Sequence, residues 1–200
     1  MDLLEANIIK HGWNPMLGFD NMLIWPNALS SSTFAAEPRL AGITISKNYF
    51  LHTITVTATE RAPFAVWCSM PADNCYWFDS QGTAFASTLD TQGGAILVIH
   101  DYTHDHIALN EPVIPAEFMP DLLSIVNTIK GSGLAVQSIA LNDLALEQLN
   151  VTAVSGPVIY FSLRFPADED LSVLQKLMTQ PGFNKLEYID FTVENRAFYK

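Results

Sequence analysis

Arg61-Ala-Pro-Phe-Ala-Val-Trp67-Cys68-Ser-Met-Pro-Ala-Asp-Asn-Cys75-Tyr-Trp-Phe78-Asp79-Ser-Gln-Gly82-Thr-Ala-Phe85 is the stretch that decides the fold. Two apolar and aromatic runs, 64–68 and 75–78, flank a six-residue link containing proline, aspartate and asparagine, which predicts a pair of antiparallel strands. A second turn over 79–82, with Gly82 able to take positive φ, returns the chain into 83–85. The block reads as a β-meander. Cys68 and Cys75 stand at the two ends of the link, where Cβ atoms of adjacent strands approach disulfide range. A Cys68–Cys75 bridge is the expectation; two small buried thiols in a cytosolic protein are the alternative.

Upstream, 2–11 carries Leu3, Leu4, Ile8 and Ile9 on one helical face and ends at Gly12, which predicts a short helix. Residues 14–28 interleave apolar side chains with Pro15, Gly18 and Pro26 and hold only brief helical turns. After a Ser/Thr-rich stretch at 30–33, residues 40–45 and 52–57 alternate with period two, as half-buried strands do. Downstream, 94–100 is strand-like. Residues 115–130 form the strongest helix signal, with Pro115 in its first turn, Phe118, Leu122, Ile125, Val126 and Ile129 on one face, and Gly131 as its stop. Strands are expected over 134–141, 144–154 and 158–165, the last two joined by a turn at Ser155-Gly156-Pro157. A second helix over 167–180 places Asp168, Glu169 and Asp170 in its first turn, where the helix dipole favours negative charge. Strands over 186–193 and 196–199 close the chain as a hairpin around Glu194 and Asn195. The fold class is α+β.

The 200 residues carry ten basic and twenty-one acidic side chains, a net charge of −11, which opposes non-specific binding to nucleic acid or anionic lipid heads. Residues 1–60 hold five acidic and three basic residues; the other sixteen and seven follow, and this shift supports a domain boundary near residue 60. No apolar run approaches the ~18 residues that span a bilayer, and Asp2 and Glu5 follow Met1 without the features of a signal peptide.

Catalytic motifs are missing: no Gly-x-Ser-x-Gly elbow, Ser-x-x-Lys, His-Glu-x-x-His or phosphate-cradling glycine loop occurs. The one metal-like cluster is His100-Asp-Tyr-Thr-His104-Asp-His106, whose imidazoles and carboxylates suit zinc. Its spacing departs from His-x-His-x-Asp-His at Asp101 and Thr103, and no histidine follows His106, so a solvated loop is the preferred reading. A metal-dependent enzyme using His100, His104 and His106 is the contrasting alternative. No cofactor is expected.

In order along the chain, 38–45, 53–67, 78–85 and 186–191 resemble the FtsQ/DivIB cell-division proteins, from their POTRA domain into their β domain. The cysteine pair resembles the version found in uncultivated bacterial lineages. The resemblance implies a truncated POTRA-like domain at 1–60, lacking its first strand, and an antiparallel β domain with two helices at 61–200. It further implies an upstream membrane helix, a single-pass topology with this region extracytoplasmic, and a non-catalytic divisome scaffold that holds FtsB- and FtsL-like partners during septation. The partner contacts would lie at the C-terminal strand edge, on Tyr188, Val193, Asn195, Arg196 and Phe198. Thr192 stands where the family pattern has an arginine. A POTRA-bearing outer-membrane assembly or secretion module is the other alternative.

Overall fold

The computed structural model describes residues 21–23, 25–29, 34–70, 74–90, 96–103 and 106–200. The helix expected over 2–11, the first part of 14–28, the 30–33 stretch, the centre of the 69–74 link, the start of 94–100 and His104 lie outside them. Two compact units divide the chain, Met1–Ala62 and Pro63–Lys200.

In the first unit, β1 (Ala28–Leu29), β2 (Leu40–Asn48) and β3 (Thr53–Glu60) form a sheet in the order β1-β2-β3, all pairs antiparallel. The period-two pattern of β2 turns Ile43 and Ile45 inward against Phe34, with Trp25, Leu29, Leu40 and Ile54 around them. Most of β3 is exposed.

The second unit runs β4 (Ala65–Ser69), β5 (Asn74–Phe78), β6 (Ala84–Thr88), β7 (Val98–Asp101), α1 (Met119–Ser132), β8 (Val136–Leu141), β9 (Gln148–Ala153), β10 (Val158–Ser162), α2 (Asp170–Met178), β11 (Tyr188–Phe191) and β12 (Phe198–Tyr199). Nine strands make one sheet in the order β12-β11-β10-β9-β8-β7-β4-β5-β6. The α+β class holds, but the sheet is mixed where an antiparallel one was expected: β4 with β7, β7 with β8, and β10 with β11 are parallel. Parallel neighbours need a long crossover, and α1 and α2 supply it between β7 and β8 and between β10 and β11.

Alternation then sorts the side chains. Trp67, Phe78, Ile99, Ile139, Val151, Ile159, Phe161, Ile189 and Phe191 share one buried core with Leu122, Ile125 and Ile129 of α1 and Leu174 and Leu177 of α2. The opposite face carries Asn150, Tyr160, Tyr188 and Asp190 in cross-strand register, all partly exposed.

The meander forms as the 61–85 pattern predicts, with Cys68 opposite Cys75 and Ala65 opposite Phe78. Gly82 has φ 79°, and the Asp79 carboxylate accepts hydrogen bonds from the Gln81 and Thr83 amides to fix the turn. A Cys68–Cys75 disulfide joins the strands, both residues buried beside Val66 and Val98. Replacing both cysteines with alanine is expected to cost about 2.5 kcal/mol, because a loop this short loses little chain entropy on closure. Urea unfolding of the two proteins checks this.

Several boundaries differ from the sequence reading. Helix α1 starts at Met119 with Pro120 in its first turn, while 115–118 form a preceding turn closed by the Phe118 amide on the Pro115 carbonyl. Its stop is Gly133, left-handed at φ 73°, rather than Gly131. Only a residue without Cβ takes that conformation freely, and Gly131 fits inside the helix at no such demand. The strand expected over 144–154 is broken by a 3-10 turn, Leu144–Leu146, whose first amides Asp143 caps. Glu147 follows in the left-handed region at φ 51°, so β9 begins only at Gln148.

Candidate docking edge

The C-terminal strands end the sheet. β11 lies parallel to β10, with Tyr188 opposite Val158 and Phe191 opposite Phe161, and the Phe161 and Phe191 rings stack at 5.4 Å in the core. The chain then reverses. Asp190 Oδ1 accepts hydrogen bonds from the Thr192 amide at 2.8 Å and the Thr192 hydroxyl at 2.6 Å, and the Arg196 amide donates to the Val193 carbonyl. Asn195 takes φ 58°, a region that asparagine tolerates better than most side chains. Thr192 thus has a definite task here, closing the turn that delivers β12.

β12 pairs antiparallel with β11, Tyr199 opposite Ile189 and Phe198 opposite Asp190. The Lys200 amide donates to the Tyr188 carbonyl, and the Glu187 amide donates to the Lys200 carbonyl. By the alternation of an antiparallel ladder, Phe198 shares the bonded set with Lys200, so the N–H and C=O of Tyr199 point away from β11. Among the described residues β12 has no neighbour on that side in the sheet order.

Around this border the five expected contact residues fall into distinct places. Phe198 and Val193 are 47% and 45% exposed, and Asn195 and Arg196 are exposed on the turn. Tyr188 lies one strand inward, partly buried on the open face, its ring 6.4 Å from that of Tyr160. Asp190 and Phe198 are register partners, so Phe198 stands on the same face as Tyr188. The sequence reading passed over Tyr199, which is 54% exposed on the other face. It also passed over a cleft of ≈ 470 Å³ lined by Glu169, Asp170, Val173, Asn195, Arg196 and Ala197. Strict period-two reading of 198–199 was the signal that would have separated the two faces.

The acidic run at 168–170 divides its work differently from the dipole expectation. α2 begins at Asp170, which leaves Asp168 and Glu169 before it, and Asp168 accepts a hydrogen bond from the Ser124 hydroxyl of α1. Burial, and then the neighbouring Glu169 carboxylate, push the Asp170 pKa up from 3.8 to about 6. The folded chain therefore binds more protons than the unfolded one between those values, so ionising Asp170 opposes folding as pH rises through that window. Asp170→Asn is expected to be more stabilising at pH 7 than at pH 4, read as the difference in melting temperature between variant and parent.

Of the histidine cluster, His100 and His106 are among the described residues. His106 is exposed, and His100 Nε2 sits 3.3 Å from Asp90 Oδ2. Among the described residues the one metal-like trio adds Cys68 to that pair, and its sulfur is committed to the disulfide.

Sequence comparison finds a similar protein. Over 87 residues, 44% of this chain, it is 29% identical to the cell division protein FtsQ of Geobacter sp. (strain M21). Over that segment the chain is similar to FtsQ. The matched segment spans 30% of the relative's length. No family model matches the chain. Among the described residues no helix is long and apolar enough to cross a membrane.

Proposed function

We propose that this chain is the extracytoplasmic part of a membrane-anchored FtsQ/DivIB-type scaffold, without catalytic activity, that binds FtsB- and FtsL-like divisome proteins during septation. In this reading residues 1–60 are a POTRA-like domain and 61–200 the β domain. The unpaired outer border of β12 carries the proposal. A partner strand laid along it gains main-chain hydrogen bonds from Tyr199, while side chains alternate between two environments. One set meets Phe198 on the open face; the other meets Tyr199 and the cleft holding Val173 and Asp170. Similarity to a cell division protein supports the class of partner.

Tyr199→Pro tests the edge, because proline removes the outward N–H and is tolerated on edge strands. Binding of the FtsB-like protein from the same genome is expected to weaken by about tenfold or more, with the melting temperature kept within a few degrees. Phe198→Asp provides the second arm, since Phe198 is exposed and its loss leaves the core intact. Unchanged affinity in both variants would refute the assignment.

A further inference from the structure

The turn joining β2 to β3 exposes Tyr49, Phe50 and Leu51 in succession, at 56%, 97% and 71% of their surface. Three large apolar side chains held in water at one tip cost free energy that a folded chain ordinarily avoids. The tip is built rather than frayed. Asn48 Oδ1 accepts hydrogen bonds from the Phe50 and Leu51 amides, and His52 takes the left-handed conformation, φ 52°, that reverses the chain into β3.

Charge is arranged around it. Residues 40–59 contain no acidic side chain in a chain of net charge −11, and the charged residue of that stretch, Lys47, stands beside the tip with His52 on its other flank. The nearest acidic residues in sequence, Glu37 and Glu60, lie at the far end of the hairpin. β2 has nine residues. At about 3.4 Å each such a strand reaches about 30 Å, several times the ~8 Å Debye length of physiological salt.

We propose that the Tyr49-Phe50-Leu51 tip dips into the interfacial layer of a phospholipid bilayer, with Lys47 and His52 among the headgroups. A convex tip needs no complementary pocket in a fluid bilayer, and an aromatic pair flanked by a basic side chain is the composition that partitions to that layer. The contact is independent of docking at β12. Three side chains make a weak, reversible attachment, one that orients a chain held near the membrane by other means.

A fluorophore on Thr53→Cys reports on the tip, because the two native cysteines are already joined to each other. Titration with vesicles of phosphatidylcholine containing a minor phosphatidylglycerol fraction is expected to raise and blue-shift its emission. Phe50→Asp in the same labelled chain is expected to lower the partition constant about tenfold, as loss of one large apolar side chain requires. A label on Thr59→Cys, at the base of the hairpin, is expected to stay silent. No lipid response at Thr53, an undiminished response in Phe50→Asp, or an equal response at Thr59 would each overturn the proposal; the first would leave the tip to a pocket on a protein.

Discussion

Trp67→Ala is expected to lower the unfolding free energy by about 5 kcal/mol, measured by urea denaturation. Trp67 is completely buried on β4, edge-on to Phe78 at 6.1 Å. Truncation to alanine empties a cavity at the centre of the sheet, and such changes cost about 3 to 5 kcal/mol by themselves. A second loss adds to it. The indole N–H donates to Asp101 Oδ2 at 3.2 Å, and Asp101 is itself fully buried at the end of β7. Asp101 Oδ1 accepts from the amide and hydroxyl of Thr103. The variant removes that donor from a buried carboxylate. Trp67→Phe separates the two losses: it restores much of the volume but still lacks the N–H donor, so its stability should fall between parent and Trp67→Ala.

Removing both hydroxyls that α1 offers to Ala167, with Ser124→Ala and Thr128→Val together, should cost about 3 to 4 kcal/mol in the same measurement. The Ala167 amide donates to Ser124 Oγ at 2.8 Å, and the Ala167 carbonyl accepts from Thr128 Oγ1 at 2.9 Å. The Ser124 hydroxyl in turn donates a hydrogen bond to Asp168. Just before α2, the Ala167 N–H is thus satisfied by a side chain on α1, and its C=O is shared between the Thr128 hydroxyl and the Asp170 amide. Without them the Ala167 N–H remains buried and unpaired, the costly half of the hydrogen-bond asymmetry, while its C=O keeps the Asp170 amide alone. The effect extends to the docking edge, since Ala167 leads into the helix that lines the cleft under β12. If the double variant is as stable as the parent, water has replaced both hydroxyls and the lock between the helices is dispensable.

Local pattern was enough for some of the molecule. The meander was legible because its determinants are neighbours in sequence: the apolar runs at 64–68 and 75–78, a cysteine pair at the strand ends, and Gly82 at the turn. The β2–β3 hairpin and the presence of both helices follow from short-range periodicity in the same way. The acidic run at 168–170 shows where that kind of reading fails. In sequence it looks like a dipole-matched helix start, yet its first member is bonded to a serine on another helix and its last is raised in pKa by burial. Neither partner nor depth is encoded within a few residues of the run.

What the sequence determined by itself is therefore the meander with its cysteine bridge, the β2–β3 hairpin and the two described helices, each fixed by residues close together in the chain. What only the tertiary structure decided is the order in which those strands meet: β7 beside β4, β11 beside β10, and β12 left on the border. Pairing between distant strands is settled by which apolar faces bury one another under α1 and α2, a property of the assembled core. The open backbone of Tyr199 is a consequence of that order, because an edge exists only relative to the strands that are already paired.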